Sequence, residues 1–173
     1  MPEDPGFTCS CCGQHHGEVP LSFMTPAPDY WTPDLLDDPD SELSSDQCVI
    51  KKQVFFVRGL IEIPVIDTGE VFTWGVWVSL SEKNFIRASQ LWNVSGRESE
   101  PPYFGWLSTE LPLYSPTTIE LKTNLHTRPV GERPAVELEP TAHPLAVEQR
   151  NGITHARVQE IAETLLHPGQ SPQ

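Results

Sequence analysis

The rhythm of hydrophobic and polar positions changes at Cys48. From there "CVIKKQVFFVRGLIEIPVI" is dense in β-branched and aromatic residues, which predicts one long strand, with Gly59 expected at a bulge where it bends. After the turn signal "DTGE", the stretch "VFTWGVWVSLS" predicts a second long strand. Antiparallel pairing of the two needs only that short turn, so it is the simplest topology. Ser79 and Glu82 then have capping-box spacing, and Phe85, Ala88 and Trp92 fall on one face of the clearest helix in the chain. "PPYFGWLST" and the Pro-broken "ELPLYSP" read as an aromatic-anchored connection with a short edge segment.

"TTIELKTNLHTRPVGERPAVELEP" reads as a hairpin. Period-two alternation puts Ile119, Leu121 and Leu125 on a buried face, interrupted by Thr123, and Glu120, Lys122, Asn124, His126 and Arg128 on the solvent face. "TAHPLAVEQRNG" predicts a short helix with Pro144 near its start. A last helix begins near Thr154, turns Val158, Ile161 and Leu165 inward, and stops before Pro168. Upstream of Cys48, residues 7–17 form a compact cysteine-built turn. Residues 18–46 form a Pro- and Asp-rich loop with a helical turn at "TPDLLDD", where Thr32 caps and Pro33 takes the first position. Strands rarely alternate with helices. The expected class is therefore α+β, an antiparallel β-sheet with two or three helices and an N-terminal zinc knuckle. One domain is expected over 1–173, divided into knuckle and acidic loop (7–48), α+β core (49–167) and disordered tail (168–173).

Composition adds punctuation: 18 Pro and 11 Gly imply many turns and few long helices. Charge changes the picture more. The net charge is −13, and residues 1–50 carry ten acids and no Lys or Arg. Such a surface repels phosphate backbones, so no nucleic-acid partner is expected. The acid run "DLLDDPDSELSSD" is a solvated loop or a surface for a basic protein partner. No apolar run approaches the roughly 20 residues needed to span a bilayer, so no membrane association is expected. The opening "MPEDPGF" lacks the pattern of an export signal. A cytoplasmic location follows, where clustered cysteines bind metal more often than they form disulfides.

The segment "FTCSCCGQHHGEVPLSF" holds the candidate metal ligands. Cys9 and Cys12 form C-x-x-C, and Gly13 admits the left-handed backbone of a tight knuckle. Cys11 falls between them, facing away, and is spare. His16 has more chain with which to swing back than His15, though spacing barely separates the two. A closed structural zinc needs four ligands, and Cys48 is the only other cysteine. The alternatives are a water in the fourth position, or thiols that are all free.

Together "FTCSCCGQHH", "SSDQCVI", "FFVRGLIEIPV", "FTWGVWVSLSEKNF", "PPYFGWLS" and "LKTNLHTRPVGERPAVELEPTAHPLAVEQRNGI" resemble the bacterial family catalogued as domain of unknown function 2199. The likeness runs from about Phe7 to about His167. It implies ligands at Cys9, Cys12 and His16, in the pattern C-x-x-C-G-x-x-H, and a later cysteine at Cys48. Cys11 and His15 depart from the pattern. The resemblance brings no activity.

Two further candidates remain. Lys122, Asn124, His126 and Arg128, with Arg133 across the hairpin, could form an anion-binding surface. His143, beside Glu139 and Glu148, could join a catalytic cluster, although a histidine at a helix start is more often satisfied by the backbone. Motifs for nucleotide binding, a serine nucleophile elbow and a zinc protease helix are absent. Trp74, Trp77, Tyr103, Phe104 and Trp106 read as core before pocket. The expectation is a bacterial, zinc-stabilised protein-binding domain, for which an immunity-like role is one reading, with one structural zinc per chain. The alternative is a metal-dependent hydrolase using His126, His143 and nearby carboxylates.

Overall fold

A computed structural model describes residues 6–10 and 12–167. The two long strands form as their composition demands: β6 (Val54–Pro64) and β7 (Val71–Leu80) pair antiparallel from Phe55 opposite Leu80 to Pro64 opposite Val71. β8 (Tyr103–Leu107), β9 (Lys122–His126) and β10 (Ala135–Leu138) continue from β7 as an antiparallel meander. β10 then meets β6 in parallel, Ala135 opposite Leu60, and closes a five-stranded mixed barrel. The sheet is therefore not purely antiparallel. A second parallel contact joins β3 (Ser22–Met24) to β7. Alternate residues fill the barrel: Ile61 and Ile63 from β6, Phe72, Trp74, Val76 and Val78 from β7, then Leu107, Leu125 and Val136, all buried.

Where strand density misled, backbone geometry explains it. The long run from Cys48 is two strands. β5 (Gln47–Ile50) turns back at Lys51 and Lys52, both with φ of 53°, and pairs antiparallel with the start of β6. Lysines in the left-handed region give no turn signal. Gly59 is no bulge, since it sits in unbroken register opposite Val76. A Cβ there would lie 2.5 Å from the Val136 side chain and 3.1 Å from the Pro134 carbonyl, so glycine is what lets β10 cross close to β6. The expected aromatic connection is β8 itself, with Tyr103, Gly105 and Leu107 inward and Phe104 and Trp106 outward.

The first helix, α1 (Glu82–Gln90), is capped by Ser81, whose side chain accepts from the Asn84 N–H; Ser79 lies within β7. Phe85 and Ala88 pack on the core, while Trp92 lies beyond the helix and is half exposed. The turn at Pro33–Asp37 is 3-10, with Leu35 buried and no side-chain cap bond from Thr32. The segment between 18 and 46 is anchored on the outside of the barrel. Trp31 and Leu43, on β4 (Glu42–Leu43), pack with Ile50 over a buried cluster of Cys48, Phe56 and Trp77.

α2 (Pro144–Asn151) and α3 (His155–Leu166) complete the fold. Thr154 caps α3, which turns Val158, Ile161 and Ala162 inward, with Leu165 partly buried. A polar chain ties both helices to the barrel. Trp74 Nε1 donates to Tyr114 Oη at 3.2 Å, Tyr114 donates to Glu148 at 2.7 Å, and Glu148 pairs with Arg157 at 2.8 Å. The expected tail over 168–173 lies outside the described residues.

Candidate metal centre

The knuckle is a miniature hairpin. β1 (Phe7–Thr8) pairs antiparallel with β2 (His15–His16), Phe7 opposite His16. Between them the Gly13 N–H donates to the Cys9 carbonyl at 2.8 Å, and the Cys9 N–H to the Gln14 carbonyl at 2.9 Å. Gly13 has φ of 70°, the left-handed value for which a glycine was expected there. This turn points Cys9 and Cys12 toward His16 on the second strand. The expected spare role of Cys11 lies outside the described residues.

The end of α3 docks on the same turn. Phe7 and Cys9 pack with Ala162. Glu163 accepts from the Ser10 N–H at 3.0 Å and from its hydroxyl, bonds that hold the Glu163 carboxyl below its ordinary pKa. One turn later, at the C-cap of α3, His167 meets the cysteines. Ligand atoms of Cys9, Cys12, His16 and His167 all lie within 4.8 Å of one another. Cys12 Sγ is 3.4 Å from His16 Nε2 and 3.8 Å from His167 Nε2, and the two imidazole nitrogens are 3.4 Å apart.

These distances can be compared with a coordination sphere. With zinc–sulfur bonds of about 2.3 Å and zinc–nitrogen bonds of about 2.0 Å, a tetrahedron has edges of about 3.3–3.8 Å. The three measured edges fit, and two thiolates with two imidazoles are a donor set that zinc favours. Cys9, 1% exposed, forms the inner wall. The four residues can hold a metal ion.

Cys48 is not part of this group. It sits on β5 under the acidic segment, 1% exposed against Phe56 and Trp77. Burial pushes its thiol up to about 11, as befits a sulfur packed among apolar rings. The fourth member of the group is His167, 151 residues along the chain from His16. No spacing rule reaches that far. His15 is exposed and is not in the group, so the histidine of the knuckle is His16.

The model of a bacterial family, described as an uncharacterized protein conserved in bacteria (domain of unknown function 2199), matches residues 8–153. The chain belongs to this family. The matched stretch holds Cys9, Cys12 and His16 and ends before α3, so His167 lies beyond what the family model covers. Neither the curated proteins nor the solved structures give a match.

The other candidates separate in space. Lys122 is exposed and Asn124 and His126 are half-buried on β9, whereas Arg128, also half-buried, lies beyond the end of the strand. Leu125 is buried as expected, while Ile119 and Leu121 are only partly so. Lys122 borders a small cavity with Glu120 and Glu139, while Arg128 and Arg133 line a different, larger one. His126 lies 3.5 Å from Glu137 across the hairpin. His143 caps α2: its Nδ1 accepts from the Leu145 N–H at 3.1 Å, and Nε2 donates to the Pro116 carbonyl at 2.8 Å. Both of its nitrogens thus serve the fold. Among the described residues, the ligating cluster includes neither His126 nor His143. No helix there is long and apolar enough to cross a membrane.

Proposed function

We propose that the protein is a zinc-stapled binding module, in which one structural zinc per chain is held by Cys9, Cys12, His16 and His167. The carrying observation is that four protein ligands converge, which leaves no open position for substrate or water. Zinc held this way links the N-terminal turn to the end of α3, so its binding energy becomes folding energy. The test is elemental analysis of untagged protein purified without chelator. About one zinc per chain supports the reading, and metal-free protein that melts at the same temperature with and without added zinc contradicts it.

The binding partner is a basic protein. Supporting this, the chain has net charge −13, and its first 50 residues carry no Lys or Arg. That acidic segment lies beside an open cleft of about 450 Å³ whose walls include Tyr30, Val54, Trp106 and Glu120. Outward-facing Phe104 and Trp106 stack edge to face at 5.1 Å, leaving aromatic surface in water. A bacterial, acidic protein of this size suits an immunity-like, partner-neutralising role. A lysine-rich peptide interleaved with tryptophan should bind and be released by salt, and Trp106→Ala should weaken it. Equal binding of a glutamate-for-lysine version contradicts the basic partner without touching the zinc reading.

A further inference from the structure

β6 offers one edge to two strands in succession. β5 pairs with residues 54–57, and β10 with Leu60 alone. The two diverge around Arg58, and the gap opens into a cavity of about 540 Å³, roofed by the end of α1 and the loop before β10. Volumes of about 300–1,000 Å³ are usual for small-molecule sites. The walls combine Trp92, Tyr103 and aliphatic side chains with four of the chain's seven arginines: Arg58, Arg97, Arg128 and Arg133. For a protein of net charge −13, this is a local reversal of sign.

Two of those cations are neutralised. Arg133 pairs with Asp46 at 2.8 Å, and Arg128 pairs with Glu62. The other two have no carboxylate at ion-pair distance among the described residues. Arg97, 9% exposed, gives Nε, Nη1 and Nη2 to the carbonyls of Arg128, Trp92, Pro129 and Glu132. A guanidinium has five N–H donors, so one on Nη1 remains uncommitted. Arg58 gives Nη1 and Nη2 to the carbonyls of Ser45 and Thr25 and lies over the Trp77 ring at 5.2 Å, and its buried Nε has no hydrogen-bond partner. Such an unmet donor costs about 1–3 kcal/mol. Glu132 is the other acid on the wall, so with both ion pairs counted the cavity keeps one net positive charge.

We propose that this cavity is a binding site for a small amphipathic organic anion, a monocarboxylate with an aromatic or aliphatic body. The carboxylate is drawn to the two guanidiniums that lack an ion-pair partner, Arg58 and Arg97, and the apolar body lies against Tyr103 and under Trp92. Arg97 stacks on the Trp92 ring at 5.8 Å, which sets that indole as one wall of the cavity. The site is separate from the metal centre and shares no residue with it.

The test uses the full, zinc-loaded chain and 2-naphthylacetate, followed by calorimetry and by the indole NMR signals. One saturable site per chain is expected, with the Trp92 signal shifted. 2-Naphthylacetamide, which lacks the charge, should bind at least tenfold more weakly, and inorganic phosphate, which lacks the apolar body, should not compete. Trp92→Ala alters a half-exposed side chain and should weaken binding about fivefold with an unchanged melting temperature. Arg58→Gln should weaken it at least tenfold. No saturable binding, equal binding of the amide, competition by phosphate, or full affinity in Trp92→Ala would each overturn the assignment.

Discussion

In the proposed centre His167 takes the fourth place that the sequence offered to Cys48, and single substitutions separate the two. His167→Ala removes one of four ligands and opens the sphere, so zinc affinity should fall by orders of magnitude. Apparent folding energies of about 10 kcal/mol accompany structural zinc in small peptides, and a sizeable part should be lost here. Cys48→Ser should keep its zinc and lose about 1–3 kcal/mol, because a hydroxyl replaces a thiol buried between Phe56 and Trp77. Zinc content and thermal melts of the two variants check this. Tyr114 gives a second residue-scale test. Its hydroxyl accepts from Trp74 and donates to Glu148, so Tyr114→Phe leaves the buried Trp74 N–H without its partner, removes one bond from Glu148, and should cost about 1–3 kcal/mol by denaturant titration.

Among the elements, α3 is the one that the proposed metal would tie down most. It reaches the barrel through Val158 and Ile161 but reaches the knuckle through Ala162, Glu163 and His167. Chelation should therefore raise amide exchange in residues 7–17 and in the last turns of α3, leaving β6 and β7 protected. Exchange mass spectrometry with and without chelator measures it, and uniform loosening would argue against a local staple. The sequence made some of these elements plain. β7 and α3 were legible because long runs of apolar periodicity leave one solution. Lys51 and Lys52 hid a hairpin, since neither residue favours positive φ, and Gly59 suggested a bulge where the fold needed room for β10. Cys9 and Cys12 were readable from local spacing, which set His16 only barely ahead of His15. His167 was not, because only the closed barrel and the docking of α3 bring it within 3.8 Å of Cys12.

At the scale of the whole molecule, the barrel holds two buried phenols that respond to alkali. Burial, then Glu100, pushes Tyr103 up to about 12, and burial with the Glu148 hydrogen bond raises Tyr114 as well. A phenol whose folded pKa is raised contributes stability that is intact below its unfolded value, about 10, and is lost as pH climbs through the folded one. The melting temperature should thus fall above about pH 10, and Tyr114→Phe should flatten that fall. The larger question is what joins the two ends of the chain. Zinc-edge X-ray absorption of the purified protein decides it. Two sulfurs at about 2.3 Å and two imidazole nitrogens at about 2.0 Å are predicted, with the His167→Ala spectrum losing one nitrogen. Three sulfurs and one nitrogen would place another cysteine in the sphere and contradict the closure by His167.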